Sequence, residues 1–260
     1  AALIGDSSCG TKGYINNISV RNGTILAGAR SGGIIGRAVN VDVTNSNSSL
    51  GVTCDSATSM CGGLAGIYDS SGALSNSYAT GNVSGITFIG GLVGLTGSGS
   101  PTLTNCYATG KIIATGGDVG GLSSGMVGGA VTNCFATGDI ISGGSSVGAL
   151  IGEISGTTDI THSYATGDIL AATQFVGGLI GTSSSSSSIT DSWASGDVNA
   201  TGDYVGGLVG DMANTTINDS FSIGNTFSSS TIAVGGFIGR NQAGATINRS
   251  YTIGNVTSTA

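Results

Sequence analysis

The segment Val176-Gly177-Gly178-Leu179-Ile180-Gly181 decides the architecture of this 260-residue chain, because close copies of it recur at a regular interval. Two later copies begin at Val205 and Val234. Earlier and looser copies begin at Ser31, Cys61, Ile89, Val119 and Val147. Self-similarity at a fixed period is the sequence signature of solenoids, propellers and other repeat arrays.

A second block follows each glycine block from Cys61 onward and contains an aromatic residue, as in Ser163-Tyr164-Ala165-Thr166-Gly167. Successive aromatic residues are 29, 28, 29, 29, 28 and 30 positions apart. A propeller blade needs four strands and about 40 residues, so this period is too short for one. The aromatic positions are Tyr78, Tyr107, Phe135, Tyr164, Trp193, Phe221 and Tyr251.

The composition agrees with a β-rich repeat. The chain has 49 glycines and one proline, without a Gly-X-Y period, which excludes collagen. Only 8% of the residues are charged and 39% are hydrophobic, a balance that argues against disorder. Frequent interior glycines also argue against long helices, since each costs a helix about 1 kcal/mol relative to alanine.

We therefore predict an all-β fold: a single-chain β-solenoid, or parallel β-helix, of about eight to nine turns with roughly 29 residues per turn. Residues 1–59 would form degenerate N-terminal turns and residues 60–260 the regular repeats, in one continuous domain. Three apolar columns, which contain Leu92, Leu103 and Ile112 with their equivalents in other turns, are expected in the core.

The repeat resembles a known family. Gly90-Gly91-Leu92-Val93-Gly94 and Ser77-Tyr78-Ala79-Thr80-Gly81-Asn82-Val83 are similar to the GLUG repeat of large bacterial surface proteins, including adhesins and IgA-cleaving peptidases. The resemblance covers roughly residues 60–257 and implies a secreted or surface-displayed region. It implies no peptidase activity, because the catalytic domains of such proteins lie outside the repeats and the chain has no His-Glu-x-x-His motif.

Two orientations of the aromatic block are open. In the degenerate turns Ile18, Val20, Val41 and Val43 alternate with polar residues and should face inward. If later turns keep that register, Ser or Cys and Ala face inward and the aromatic residues form an outer ladder beside a threonine column. In the opposite register the aromatic residues form an internal stack. An outer ladder would be a candidate binding or assembly surface.

The five cysteines suggest two disulfides. Cys106 and Cys134 occupy equivalent positions in adjacent turns, whose Cα atoms should lie about 4.8 Å apart, within disulfide range. Cys54 and Cys61 could close a short loop. Cys9 is left over, which in a secreted protein suggests a free thiol or an intermolecular partner.

Candidates for chemistry are few. Asp139, Asp168 and Asp197 should stack at one position, where repulsion could favour a cation such as calcium, although a solvated edge is the simpler interpretation. His162 is the only histidine and occupies a position that other turns fill with Asn or Asp. The seven basic residues are scattered, so we expect no enzyme activity, no catalytic residue and no cofactor.

The net charge of −7 argues against nucleic acid as a partner, and no apolar run is long enough for membrane insertion by a helix. The leading hypothesis is a non-enzymatic, extracellular or cell-surface structural solenoid. It would be part of a self-assembling fibre, a sheath or an adhesin stalk, with end-to-end or lateral self-association, because the repeat runs in phase to its last turn without a polar cap. The alternative is a module whose aromatic and threonine face binds glycan or, less plausibly, ice. A polysaccharide-acting enzyme is the third and weakest hypothesis.

Overall fold

The computed structural model of this chain describes residues 4–69, 71–230 and 232–259, with the side chains of residues 7–10 left out. The regular structure of these residues is entirely β-strand, and all strand pairs are parallel. The chain coils into a β-solenoid of about nine turns, with equivalent residues close to 29 positions apart. The described residues contain no helix of the length and apolarity that a bilayer span needs. The predicted fold class is confirmed.

Each turn contributes to four parallel sheets, which we number in the order in which the chain passes through them. The longest strands belong to the 14-stranded sheet 1: Ile4–Asn16, Ile35–Thr44, Ala65–Asp69, Ala73–Ser75, Val93–Thr96, Thr102–Thr104, Ser123–Thr132, Ile151–Thr161, Ile180–Ser183, Ser188–Thr190, Val209–Met212, Thr216–Asn218, Ile238–Asn241 and Thr246–Asn248. The nine two-residue strands of sheet 2 contain the aromatic positions: Ser19–Val20, Asn47–Ser48, Tyr78–Ala79, Tyr107–Ala108, Phe135–Ala136, Tyr164–Ala165, Trp193–Ala194, Phe221–Ser222 and Tyr251–Thr252.

Sheets 3 and 4 complete the turn. Sheet 3 has nine strands: Thr24–Ala27, Gly51–Cys54, Val83–Gly85, Ile112–Ala114, Ile140–Ser142, Ile169–Ala171, Val198–Ala200, Thr226–Ser228 and Val256–Ser258. Sheet 4 has eight: Arg30–Ser31, Met60–Gly62, Ile89–Gly90, Asp118–Gly120, Ser146–Gly148, Val176–Gly177, Val205–Gly206 and Val234–Gly235. In each turn, the sheet 4 strand and the first residues of the sheet 1 strand that follows it form the glycine block.

The core consists of columns in which one side chain per turn stacks on its equivalent. Leu103 pairs in register with Leu74 on one side and Val131 on the other, and all three are fully buried. Ile112 pairs likewise with Val83 and Ile140 in sheet 3. Leu92 and Leu122 continue a third column at the tip of the glycine block, where the amide of Leu92 donates to the carbonyl of Leu122. The three predicted apolar columns are confirmed except in the last described turn, where Ile247 and Val256 are exposed.

A column of left-handed residues forms the corner between sheets 1 and 2. Asn76, Asn105 and Asn133 have φ angles of 50°, 54° and 54°. Asparagine tolerates this conformation better than most residues with a side chain. The side-chain amide of Asn105 donates to Asn76 Oδ1 at 3.0 Å, and that of Asn133 donates to Asn105 Oδ1 at 2.7 Å. The corner is therefore held by an amide ladder, and His162 takes the same position with φ 51°.

The glycine block is an edge where the backbones of sheets 4 and 1 fold onto each other. A Cβ atom on Gly177 would overlap the carbonyl oxygen of Ile180 and lie 2.6 Å from the amide nitrogen of Gly210. The other glycine of the block faces sheet 2, since a Cβ on Gly91 would lie 2.8 Å from the Cβ of Ala108. Backbone atoms make most of these contacts, so a side chain at such a position cannot be accommodated by a rotamer change.

Replacing Gly177 with alanine should therefore destabilise the fold by at least about 3 kcal/mol, because the surrounding backbone must move. Urea unfolding followed by circular dichroism measures the loss. Gly28→Ala is the matched control, since Gly28 is exposed and a Cβ there meets no atom within 4 Å. An equal effect of the two substitutions would contradict the packing argument.

Thr226 is the one member of the Ile112 column with a hydroxyl, and it is 1% exposed between Val198 and Val256. Its Oγ1 has no hydrogen-bond partner in the part of the chain that the structure describes. Because an unpartnered buried hydroxyl is destabilising, Thr226→Val should raise the free energy of unfolding by about 1 kcal/mol. The control is Thr158→Val, which should lower it, since Thr158 Oγ1 donates to the Gly156 carbonyl at 3.0 Å. A loss of stability in Thr226→Val by the same urea assay would contradict this prediction.

Candidate functional site

The aromatic column lies on the outer surface of sheet 2. Each aromatic residue alternates with an inward residue, so Tyr107 is half-buried while Ala108 is 1% exposed. The inward residue is small because it contacts the glycine edge. Of the two orientations that the sequence left open, the structure has the outward one, and the preceding Ser or Cys residues face inward as expected for that register.

The aromatic rings are stacked face to face along the solenoid. The centroids of Tyr78 and Tyr107 are 4.6 Å apart, and those of Tyr164 and Trp193 are 4.5 Å apart. All six successive pairs are within 6° of parallel. Burial, and then the charge of Tyr78, raise the pKa of Tyr107. An interior ring thus has a neighbour over each face and presents only its edge to solvent.

This geometry bears on the glycan hypothesis. A sugar stacks on an aromatic residue through an open ring face, and in this column the open faces are covered by the neighbouring rings. The threonine column beside it is also interrupted, since Ile223 replaces threonine and is 44% exposed. The interior rings therefore stack the turns together and present their edges, rather than their faces, to solvent.

The aspartate column lies at the corner between sheets 2 and 3. Asp139 Oδ1 accepts the amide of Asp168 at 3.2 Å, and Asp168 Oδ1 accepts the amide of Asp197 at 2.8 Å. Asn225 continues the pattern by donating its amide to Asp197 Oδ1 at 2.8 Å. One oxygen of each carboxylate is thus used to hold the next turn, which explains why Asp and Asn both occur in this column.

The suggestion of a calcium site has no further support from the side chains around these aspartates. Among the residues that the structure describes, no group of three or more His, Cys, Asp and Glu side chains is arranged to hold a metal ion. Asp139, Asp168 and Asp197 are all exposed at this corner. The solvated-edge interpretation accounts for the column without a cation.

A shallow groove of about 360 Å³ runs beside this column on the outer face of sheet 3. One wall is the aspartate column. The other wall contains Ile141 and Leu170, which are 38% and 53% exposed and pair in register. Buried Ile140 and Ile169 separate the walls, and Lys111 and Asn199 lie at the two ends. The alternation of strand residues places both walls on one face.

The buried Ser and Cys column satisfies the polar backbone of the corner. Ser163 Oγ donates to the carbonyl of Thr161 at 2.9 Å and accepts the amide of Cys134 at 3.1 Å. Cys134 repeats this pattern: its thiol donates to the carbonyl of Thr132, and its sulfur accepts the amide of Cys106 at 3.3 Å. Sulfur therefore substitutes for the serine hydroxyl in two turns.

The proposed disulfide between Cys106 and Cys134 is wrong, since both are free, buried thiols. In-register side chains of parallel strands point the same way, so their Cβ atoms stay about one strand spacing apart, whereas a disulfide needs about 3.8 Å. The hydrogen bond with Cys106, together with burial, raises the pKa of the Cys134 thiol.

The proposed bridge between Cys54 and Cys61 is present. It joins the end of a sheet 3 strand to a sheet 4 strand with a Cα–Cα distance of 6.6 Å. The side chain of Cys9 lies outside the described part of the chain.

Two clusters of charged residues lie at the glycine edge, and one of them, the Asp211–Arg240 pair, follows the repeat because these residues pair in register. Burial, and then the charge of Glu153, raise the pKa of Asp118 to about 7. In later turns Arg240 forms a bidentate ion pair with the buried Asp211, at 2.6 and 2.8 Å, and lies 3.9 Å from the ring centroid of Tyr204. Asp118 and Glu153 are 35 residues apart and lie in different columns. No periodic signal in the sequence joins them.

The comparisons with known proteins agree with the repeat geometry. The profile of the GLUG motif matches residues 89–113 and 143–170. The chain carries the GLUG motif. Each matched region spans most of one turn, from a glycine block through an aromatic strand into a sheet 3 strand. No match was found among curated proteins, and none among solved structures.

The pH dependence of stability should reveal the Asp118–Glu153 pair. The folded-state pKa of Asp118 exceeds its ordinary value of 3.8, so the folded state binds this proton more tightly than the unfolded state. The stability contributed by protonation is fully present below pH 4 and is lost as the pH rises through about 7.

The free energy of unfolding should therefore fall between pH 4.5 and pH 8 by more in the wild type than in Asp118→Asn, as measured by urea midpoints. Asp159→Asn, on the exposed face of sheet 1, is the control and should follow the wild type. Parallel pH profiles for the wild type and Asp118→Asn would contradict the assignment.

Proposed function

We propose that this chain is a non-enzymatic structural solenoid that is extracellular or displayed at the cell surface, as a rigid segment of an adhesin stalk, a sheath or a self-assembling fibre. The observation that carries the proposal is the continuous stacking of the turns, in which the strands of sheets 2, 3 and 4 pair in register from one turn to the next. Nine turns at the strand spacing give a rod on the order of 40 Å long.

The ladders are of a kind that resists separation of the turns. The aromatic column and the buried Ser and Cys column connect successive turns, and the side-chain amides of Asn76, Asn105 and Asn133 connect three turns at the corner. Separating two turns would break the strand hydrogen bonds and all these side-chain contacts together. Such coupling suits a part that bears load or holds a fixed distance.

The compartment is supported by the Cys54–Cys61 disulfide. Disulfides persist in secreted and surface proteins and are rare in the reducing cytosol. The GLUG motif and the solenoid fold are compatible with a structural or adhesin-like protein. Self-association of the chain, end to end or lateral, is part of the proposal and is tested by the experiment that follows.

Immunogold electron microscopy of native cells with an antibody against this chain tests the proposal. Gold should decorate the outer surface, in rows if the chain forms fibres and at scattered points if it is a stalk segment. Labelling confined to the cytosol would contradict the surface role. Turnover of a polysaccharide by the purified chain, followed as release of reducing ends, would contradict the non-enzymatic role.

A further inference from the structure

The groove on the outer face of sheet 3 has two chemically different walls. The apolar wall contains Ile141 and Leu170, which are 38% and 53% exposed and adjacent in register. Ile113, which is 47% exposed, continues the same column in the preceding turn. Exposed apolar side chains aligned in this way are usual at binding sites and unusual on a bare surface. At about 360 Å³, the groove is within the size range of small-molecule sites.

The other wall is acidic and partly unused. Asp139, Asp168 and Asp197 each employ Oδ1 as the acceptor for the next turn, and Oδ2 has no hydrogen-bond partner within the described residues. These free oxygens recur once per turn, at about 4.8 Å. Among the described residues that line the groove, Lys111 is the only cation, and it lies at one end.

The two walls together specify an occupant. Ammonium groups complement the carboxylates, and methylene chains complement the isoleucine and leucine side chains, so the ligand must carry both along its length. Amines separated by three methylenes recur at nearly the spacing of the turns. A second copy of this chain is a poor occupant, because its net charge is −7.

We propose that this groove binds a linear alkyl polyamine, with one ammonium on each of Asp139, Asp168 and Asp197 and the methylenes on Ile141 and Leu170. The ligand lies along the solenoid axis, parallel to both walls. Lys111 limits the site at one end by repulsion, and the replacement of Leu170 by Asn199 in the next turn limits the apolar wall at the other.

The repeat itself supplies variants that preserve the fold. Asp168→Asn introduces the residue that stands at this position as Asn225, whose Oδ1 also accepts the next turn's amide, at 3.0 Å. Leu170→Asn introduces the residue of the next turn, Asn199. Lys111→Asn introduces the residue of the preceding turn, Asn82. Asn82 is uncharged, and its Oδ1 accepts the backbone amide of Lys111.

Isothermal titration with norspermidine, a triamine with three-carbon spacers, tests the proposal in about 10 mM salt, where charges are little screened. Asp168→Asn should raise Kd roughly two- to fivefold, and Leu170→Asn roughly twofold, as expected for one exposed ion pair and one apolar contact. Lys111→Asn should lower Kd roughly twofold, because it removes the repelling charge.

Asp159→Asn is the matched control, since it changes the net charge equally on the exposed face of sheet 1 and should leave Kd unchanged. An equal loss in Asp159→Asn and Asp168→Asn would overturn the proposal, because binding would then follow net charge alone. Saturable binding of calcium chloride that is insensitive to Leu170→Asn, with no norspermidine binding, would also overturn it in favour of an inorganic cation. Absence of any titration heat or chemical-shift change with norspermidine would also overturn the proposal.

Discussion

Backbone hydrogen bonding between successive turns is the constraint on which the rest of this structure depends. It holds equivalent residues of neighbouring turns one strand spacing apart and in register, so that each position must be compatible with a copy of itself about 4.8 Å away. Aromatic rings satisfy this requirement by parallel stacking, as Tyr107 does with Phe135 at 4.7 Å. Asparagine satisfies it through amide-to-amide hydrogen bonds, as Asn133 does with Asn105.

Charged residues are compatible with this constraint when a backbone amide of the next turn donates a hydrogen bond to each of them. Asp168 stacks between Asp139 and Asp197, yet each of these three carboxylates accepts a hydrogen bond from a backbone amide of the next turn. The same column contains Asn225, which uses its amide oxygen in the same way. A side-chain oxygen is therefore enough to accept the amide at this position, and the negative charge is not needed to hold the turns together. The groove beside Asp168 is where that charge meets an exposed apolar wall.

The glycine edge has the opposite effect, since it brings together residues that are not equivalent. Folding sheet 4 onto sheet 1 without side chains between them places Asp118 near Glu153, and Arg240 over Tyr204. Ser124 occupies a position that is glycine in most turns. It is fully buried, and its hydroxyl donates a hydrogen bond to the carbonyl of Gly94. Small polar residues are tolerated there only when the backbone supplies a partner.

The sequence by itself determined the solenoid, its period and the apolar columns, because those features follow from spacing along one chain and from strand alternation. It suggested the Cys54–Cys61 bridge, which the structure contains. It left the orientation of the aromatic column open, since both registers place one residue per turn in a stack. Only the tertiary structure decided that Tyr107 faces outward with its ring faces covered, because the glycine edge leaves room inside for no more than Ala108. Only the structure showed Cys106 and Cys134 to be free thiols and paired Asp118 with Glu153. Those outcomes depend on side-chain direction and on the folding of one sheet onto another, which repeat spacing does not encode.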